Sequence, residues 1–386
     1  TWSIPPNIEQ VASGASDATF AEDFGLFMWT VVDQLFREIT DTPYEWPAPS
    51  ESAPQMMMLL TEDNASDYLT TGYIAVPDFQ EQYAENWGFC VPHTLLESLK
   101  EDTYDVVIRS RLEDGFLTYG EYLHRGETED EVLLSAHICH PSLANDNCSG
   151  LALLTLLAAN LNGIKTRYSY RFIFAPGSIG ALTWLSRNEG SVHRIKHGLV
   201  VSCLGDGGGP TYKKSRRGDA EIDRAMAHVL KHSDLPANIL EFSPYGYDER
   251  QYCSPGFNLP VGLLQRSKFG TFPEYHTSAD NPTFIKPQHL EESYRIIANL
   301  IEVLEGNRSF QNTSPKGEPN LGKRGLYGSI GGDKTAAQSI MKILWVLNLS
   351  DGEHSLLDIA ERADLPFQDV SAVAGVLHKH GLLRLA

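Results

Sequence analysis

The sequence is short of cysteine, of positive charge and of long apolar runs. It carries five cysteines in 386 residues, an odd number with no CxxC pair, so it lacks the disulfide framework of small secreted domains and suits a reducing compartment. Lys and Arg number 31 against 50 Asp and Glu, for a formal charge of −19. Affinity for a phosphate backbone needs clustered cations that release counterions, so no nucleic-acid partner is expected and the acidic balance reads as a solvated surface. The longest apolar run, Leu151 to Leu161, is too short to cross a bilayer, and no membrane partner is expected. The opening residues, Thr1-Trp-Ser-Ile-Pro-Pro, have neither the basic nor the apolar segment of a signal peptide. These features together predict a cytoplasmic protein.

The chain is long enough for two or three domains, since single cores seldom grow past about 250–300 residues. Its 42% apolar and 10% aromatic content is ordinary for a globular protein. Phe24, Phe27, Met28, Val31, Val32, Leu35 and Phe36 recur at helical spacing, so residues 1–67 are expected to form a helical segment packing on the core. From 68 to 125 the pattern changes to short β-rich pieces, among them Gly72 to Pro77, Tyr104 to Arg109 and Phe116 to Gly120, which predicts an inserted β-sandwich-like unit. Strands and helices then alternate from 126 to 306: strand 131–136, helix 149–161, strand 170–175, helix 179–188, strand 198–203, helix 220–232, strand 261–264 and a long helix from about 288 to 304. This is the outline of an α/β core.

Residues 307–334 are rich in Gly, Pro, Asn and Lys and read as a linker. The last stretch, 335–386, has three helical segments and a short strand, the outline of a winged helix. A DNA reader of that kind needs basic side chains on its third helix. Phe367 to Lys379 has one Lys or Arg, Lys379, and residues 338–386 hold four Lys or Arg against six acids. Packing or homo-oligomer formation, through this unit or the β unit, is the expected role.

The densest chemical stretch is Glu131 to Gly150. A buried strand, Val132 to Ala136, delivers His137, Cys139 and His140 to a polar loop, and Asp146 stands just before the apolar run from Leu151. Imidazoles and a carboxylate would then gather at the carboxyl end of a strand, where open α/β sheets place their ligands. Imidazole nitrogen and carboxylate oxygen suit zinc, or iron and manganese at other ligand counts. Three more stretches offer side chains at strand ends. Asp206 follows the strand ending at Cys203. His276 lies in the loop Pro273 to Asp280, next to Tyr275. Asp248-Glu249-Arg250 places two acids beside a guanidinium able to take a substrate carboxylate through a bidentate contact. Taken singly, these residues read as helix caps or surface ion pairs; their shared position favours a site.

The order His137, then Asp146-Asn147-Cys148-Ser149-Gly150, then Asp206, then Tyr275-His276-Thr277 resembles the metal-binding series of the M28-type zinc aminopeptidases. A closer resemblance is to the aminopeptidase-like branch known as DUF4910 with DUF2172, which has an inserted β-sandwich and a winged-helix tail. The phrases that carry it are Trp87-Gly-Phe-Cys90, Leu117-Thr-Tyr-Gly120, His137 to Asn147, Asp248 to Pro255 and Pro273 to Thr277. The resemblance implies a mixed-sheet, zinc-exopeptidase-like α/β sandwich. It also implies metal ligands at His137, Asp146 and His276, with Asp206 a weaker fourth. Two departures stand out. Cys139 occupies the place of the carboxylate that orients the first His. Gly177-Ser178 occupies the place of a Glu pair, one member of which is the general base.

Three readings remain open. In the first, one divalent metal, zinc, polarises a carbonyl of a small amino-acyl or amide-containing metabolite. His140, Glu249 or Asp206 then moves the proton, and Asp248 or Glu249 takes a free amine of the substrate, both being counted with His140 among the catalytic candidates. Arg250, Tyr275 and Cys139 line the substrate pocket. In the second, two His and one carboxylate hold iron for redox or lyase chemistry. The third is a non-catalytic binding protein.

Overall fold

A computed structural model describes residues 98–100, 116–138, 143–326 and 334–386. The expected N-terminal helix, most of the expected β insertion, and Cys139 and His140 lie outside the described residues. The chain divides into two units. The first comprises residues up to Ala220 and Pro236–Arg295, and the second Glu221–Leu235 and Ile296–Ala386.

The first unit is built on a seven-stranded mixed sheet of order β1-β3-β2-β4-β7-β5-β6. β2 (Glu131–His137), β3 (Ser169–Ala175), β4 (Ile195–Val201) and β7 (Val261–Gln265) are mutually parallel. β1 (Gly120–His124) is antiparallel to β3, and β5 (Thr211–Lys213) is antiparallel to β7, with β6 (Asn238–Leu240) parallel to β5 at the edge. All seven residues of β2 are buried. A parallel strand covered on both faces reads as a continuous apolar run, which Val132-Leu-Leu134 supplies. Between the strands run α1 (Gly150–Leu161) and α2 (Ile179–Asn188). Leu133, Ile173, Trp184, Val200, Tyr252 and Leu263 form the centre of one core cluster. Each such side chain taken from water contributes about 1.5–3 kcal/mol, enough to fix the strand ends that carry the site.

The strand order determines where that site lies. From β2 the chain crosses to β3 on one side, then back to β4 on the other. This makes the carboxyl end of β2 a topological switch point, where connections diverge and leave a crevice. His137 is the last residue of β2. β1 pairs with β3 throughout, so the end of the stretch read from sequence as a separate β insertion belongs to the main sheet.

The second unit contains α3 (Glu221–Lys231) and the end of α5 (Pro287–Gly306), followed by β8 (Ser309–Asn312), α6 (Lys334–Leu349), β9 (Asp351–Ser355), α7 (Leu356–Ala363), α8 (Phe367–Lys379) and β10 (Leu383–Leu385). Its three-stranded antiparallel sheet has the order β10-β8-β9, giving a winged-helix domain at the C-terminus. The middle strand, β8, falls inside the stretch whose composition suggested a linker. Its sequence Ser-Phe-Gln-Asn has a single apolar residue, Phe310, too little for a period-2 signal. α7 starts with a capping box: Ser355 Oγ accepts from Asp358 N at 3.2 Å, and Asp358 Oδ2 accepts from Ser355 N at 2.7 Å.

Candidate active site

The loop after β2 is held by side chains that satisfy backbone groups. Ala144–Ser149 form a single wide helical turn, broken at Asp146 and Asn147, whose shared peptide is cis. Asn145 Oδ1 accepts from Gly205 N at 2.8 Å, and Asn145 Nδ2 donates to Asp206 Oδ2 at 2.9 Å. Ser149 Oγ donates to Asn145 O at 2.6 Å and accepts from Leu204 N at 3.0 Å. Asn147 Nδ2 donates to Val201 O at 3.0 Å while its Oδ1 accepts from Gly150 N at 3.2 Å. A Cβ at position 150 would lie 2.4 Å from Asn147 Oδ1, so this position has room only for glycine. The sequence Asp146-Asn-Cys-Ser-Gly150 is therefore scaffolding for one group, the Asp146 carboxylate.

That carboxylate is fully buried and meets two imidazoles. His137 Nε2 lies 2.9 Å from Asp146 Oδ1, and His276 Nε2 lies 3.3 Å from Oδ2. Ser202 Oγ donates to Oδ1 at 3.3 Å, so Oδ1 has two contacts and Oδ2 has the His276 imidazole. Burial alone would raise the Asp146 pKa, but His137 and His276 outweigh it and hold the carboxyl far below the usual range. Burial would lower His137, and the charge of Asp146 and its hydrogen bond reverse this, raising the imidazole above its ordinary value. Aromatic rings brace both imidazoles. Tyr247 stacks on His137 at 4.7 Å and Tyr275 stacks on His276 at 3.9 Å, while the Tyr247 hydroxyl donates to the Tyr275 hydroxyl at 3.4 Å.

Asp248 closes the other flank. It is 1% exposed; its Oδ1 accepts from Ser178 N at 2.6 Å, and its Oδ2 has no partner. Ser178, at φ 59°, turns its N–H inward just beyond β3, whose last residue Ala175 pairs with His137. Burial pushes Asp248 up to about 6, although the charge of His137 opposes the shift. Glu249, also buried, pairs with Lys213 Nζ at 2.5 Å. Burial raises its pKa, and Lys213 limits the rise. A Cβ on Gly246 would lie 2.0 Å from Glu249 Oε1 and 2.6 Å from Lys213 Nζ, so any larger residue there would have to push this ion pair aside. Arg250 Nη2 donates to Ser178 Oγ at 3.2 Å.

The structure thus brings His137, Asp146, His276 and Tyr275 into one cluster, with Asp248, Glu249 and Arg250 on its flank. Asp206 is engaged otherwise: its Oδ1 accepts from Gly208 N at 2.7 Å and Ser267 Oγ at 2.5 Å, and its Oδ2 takes the Asn145 amide. It organises the loop that carries Asp146. Cys139 and His140 lie outside the described residues. Among the described residues no group of three or more His, Cys, Asp or Glu is arranged as a coordination shell; the two imidazoles approach the carboxylate directly. Three more residues shape the site: Tyr247, which the sequence did not single out, and Ser178 and Asp280, which the sequence named only as the place of a missing Glu and as a helix cap. Tyr247 supports His137, Ser178 fixes Asp248, and Asp280 accepts from Asn145 N at 2.6 Å and Asp146 N at 2.9 Å. The Asp280 carboxyl is pushed up to about 8 by burial, against those two hydrogen bonds.

The described residues thus form a mixed α/β sheet with this cluster at its switch point, followed in the chain by a winged helix. Residues 2–307 match the family described as domain of unknown function DUF4910, and residues 308–385 match a winged helix-turn-helix family. The chain belongs to the DUF4910 family. It is 47% identical over 329 residues to a Clostridium acetobutylicum protein provisionally named as a polysaccharide biosynthesis protein with an aminopeptidase-like domain, with 84% of this chain and 76% of that protein covered. A crystal structure of a provisionally named peptidase from Clostridium acetobutylicum is 35% identical, with a TM-score of 0.82 over 98% of this chain and 100% of that one. A zinc aminopeptidase from Bacillus subtilis is 16% identical, with a TM-score of 0.40 over 48% of this chain and 49% of that one.

Proposed function

We propose that this protein is a metal-dependent amide hydrolase of aminopeptidase-like fold, acting on a small amino-acyl or amide-containing metabolite, and that His137, Asp146 and His276 hold one divalent metal. The observation that carries this reading is the meeting of two imidazoles on the two oxygens of one buried carboxylate, His137 Nε2 at 2.9 Å from Oδ1 and His276 Nε2 at 3.3 Å from Oδ2. A fully buried anion costs several kcal/mol unless it is paired, and a cation shared with the two imidazoles would supply that pairing. Two nitrogens and one carboxylate form the donor set that catalytic zinc uses with an open position. Zinc bound there would supply Lewis-acid polarisation of the scissile carbonyl and a more acidic water.

The remaining chemistry falls to the chain itself. In the M28-type enzymes that the sequence resembles, a Glu pair stands where this chain has Gly177-Ser178; here the Ser178 N–H holds Asp248 instead. Asp248 is buried, oriented through Oδ1, and has Oδ2 free to accept a proton. With its pKa at about 6, it is mostly ionised at neutral pH and basic enough to draw a proton from water and pass it to the leaving amine. We therefore assign Asp248 as the general base. The Lys213 partner compensates Glu249, which supports the short helix α4 (Glu249–Tyr252) that begins just after Asp248. Tyr247 and Tyr275 hold the imidazole planes by stacking.

The name of the Clostridium relative supports a biosynthetic setting. The buried free thiols of Cys148, Cys203 and Cys253 suit the cytoplasm. We read the winged-helix unit as a packing or self-association module, because Asp369 on α8 is taken up by Lys342 at 2.7 Å and Lys379 is the helix's only Lys or Arg.

The test is metal content and hydrolysis measured together on a panel of amino-acyl anilides. His137→Ala and His276→Ala should each lose stoichiometric metal. Asp248→Asn should keep the metal and lose about 10²–10⁴-fold in kcat. Unchanged metal content in both His variants would remove the site assignment.

A further inference from the structure

We propose that Arg250 binds a carboxylate on the substrate, so that the amide processed here belongs to a small molecule bearing a single negative charge. The reaction rests on the hydrolase reading above; the ligand chemistry rests on Arg250 and its neighbours. Residues 248–250 place two carboxyls and a guanidinium in succession, and the three have different partners. Glu249 is paired with Lys213, which also donates to Ser243 O at 3.1 Å and Tyr245 O at 2.9 Å. Asp248 takes the Ser178 N–H. Arg250 is half-buried and has one hydrogen bond, from Nη2 to Ser178 Oγ at 3.2 Å, while its Nε is buried with no partner. Among the described residues no carboxylate lies within ion-pair distance of it.

An unmet buried N–H on a charged group is costly. A cation held this way beside a catalytic cluster is complementary to an anion that arrives with the substrate. The guanidinium offers Nε–H and a terminal N–H in a planar fork, which fits the two oxygens of a carboxylate. Its place follows from the sheet: Ala175 ends β3 beside His137, Ser178 lies three residues on, and its N–H and Oγ touch Asp248 and Arg250 respectively. Ser178 therefore links the fork to the general base, two positions before it in the chain. Net charge selects the anion. Asp248 and Glu249 are balanced by Lys213 and Arg250, with the Arg250 charge acting on both acids, so a singly charged carboxylate meets less repulsion at the fork than a doubly charged phosphate.

Matched ligands test this on the zinc-loaded full chain by calorimetry: N-acetylglycine against N-acetylglycinamide, which differ only in carboxylate and carboxamide. Wild type should bind the acid about 10-fold more tightly. Arg250→Gln should bring the two within about 3-fold, a difference of roughly 0.6–0.7 kcal/mol. Arg250→Lys, which keeps the charge and loses the fork, should lose most of the preference and serves if the Gln variant does not fold. Equal affinities in wild type would overturn the proposal. A preference that survives Arg250→Gln would do the same, since the metal would then be its source, as would tighter binding of acetylaminomethylphosphonate than of the acid. Hydrolysis is scored separately. A carboxylate preference without turnover of any amide defeats the hydrolase reading and leaves this assignment standing; turnover without the preference does the reverse.

Discussion

The two units differ in how many carboxyls they bury, although Asp223 of the second is also 1% exposed. In the first, Asp146, Asp206, Asp248, Glu249 and Asp280 are each at most 1% exposed. In the second, the main ion pairs stay at the surface: Arg224 with Asp358 at 38% and 30% exposure, Lys231 with Asp364 at 58% and 70%, and Lys342 with Asp369 at 30% and 41%. Surface pairs contribute little, about 0–1 kcal/mol, and are cheap to keep. Burying a carboxylate costs several kcal/mol before its partners are counted. A unit needing only stability has no reason to bury five carboxyls at one end of a sheet. The concentration of cost at the switch point is what separates a site from a solvated acidic surface, and it was invisible in a net charge of −19.

The contrast is tested most severely where a buried pair is tightest. Gly246→Ala would drive a methyl group into the Glu249 and Lys213 pair, with contacts of 2.0 and 2.6 Å. Removing one partner of a buried pair costs about 3–5 kcal/mol, and displacing both ends of this one is expected to cost up to that much in chemical denaturation. An equivalent Gly375→Ala change in α8, where an added Cβ meets nothing within 4 Å, should be neutral or slightly stabilising. Equal effects at the two positions would remove the distinction between the units.

Different parts of this arrangement were legible from sequence for different physical reasons. The seven buried residues of β2 and the apolar run of α1 announce themselves by continuous hydrophobicity. His137 and Asp146 are only nine residues apart, so one strand and one loop deliver both. β5 and β6 escaped because three residues are too few to show a period of two. β8 escaped because polar residues dominate it. Ser178 is the most instructive case. Its residue type suggested only a missing Glu, because what it contributes is a backbone N–H turned by a positive φ, and the carboxyl it holds comes from Asp248, seventy positions later. A side chain replaced from elsewhere in the chain leaves no local trace. Tyr247 was adjacent to a noted motif, but stacking on His137 is a property of the folded loop.

Acid should separate the units again, with a smaller effect. His228 in α3 is 5% exposed, its Nε2 has no partner, and its ring lies 4.6 Å from that of His232. Burial first, then the charges of His232 and Lys231, depress its pKa to about 4, with Asp364 opposing. A base whose folded pKa is lowered binds fewer protons folded than unfolded, so its stability is fully present above about 6.5 and is lost as pH falls toward 4. The shift corresponds to at most about 3 kcal/mol. Melting followed between pH 7 and 4 should show this loss, and His228→Gln should flatten that part of the profile. A profile unchanged by the substitution would place the acid sensitivity elsewhere.

The smallest effect belongs to the winged-helix unit's own local order. Ser355 Oγ accepts from Asp358 N at 3.2 Å, and Asp358 returns the contact to Ser355 N at 2.7 Å, so two backbone donors at the start of α7 are satisfied reciprocally. Ser355→Ala should cost about 1 kcal/mol, a fraction of the Gly246→Ala effect. Asp358 also meets Arg224 at 2.5 Å, which keeps its carboxylate placed after the serine is lost. Ser355→Ala and Arg224→Ala made together should therefore lose more than the sum of the single variants, by a few tenths of a kcal/mol. Strict additivity in that double-mutant cycle would show that the cap and the surface pair act independently, and that even their shared carboxylate does not couple them.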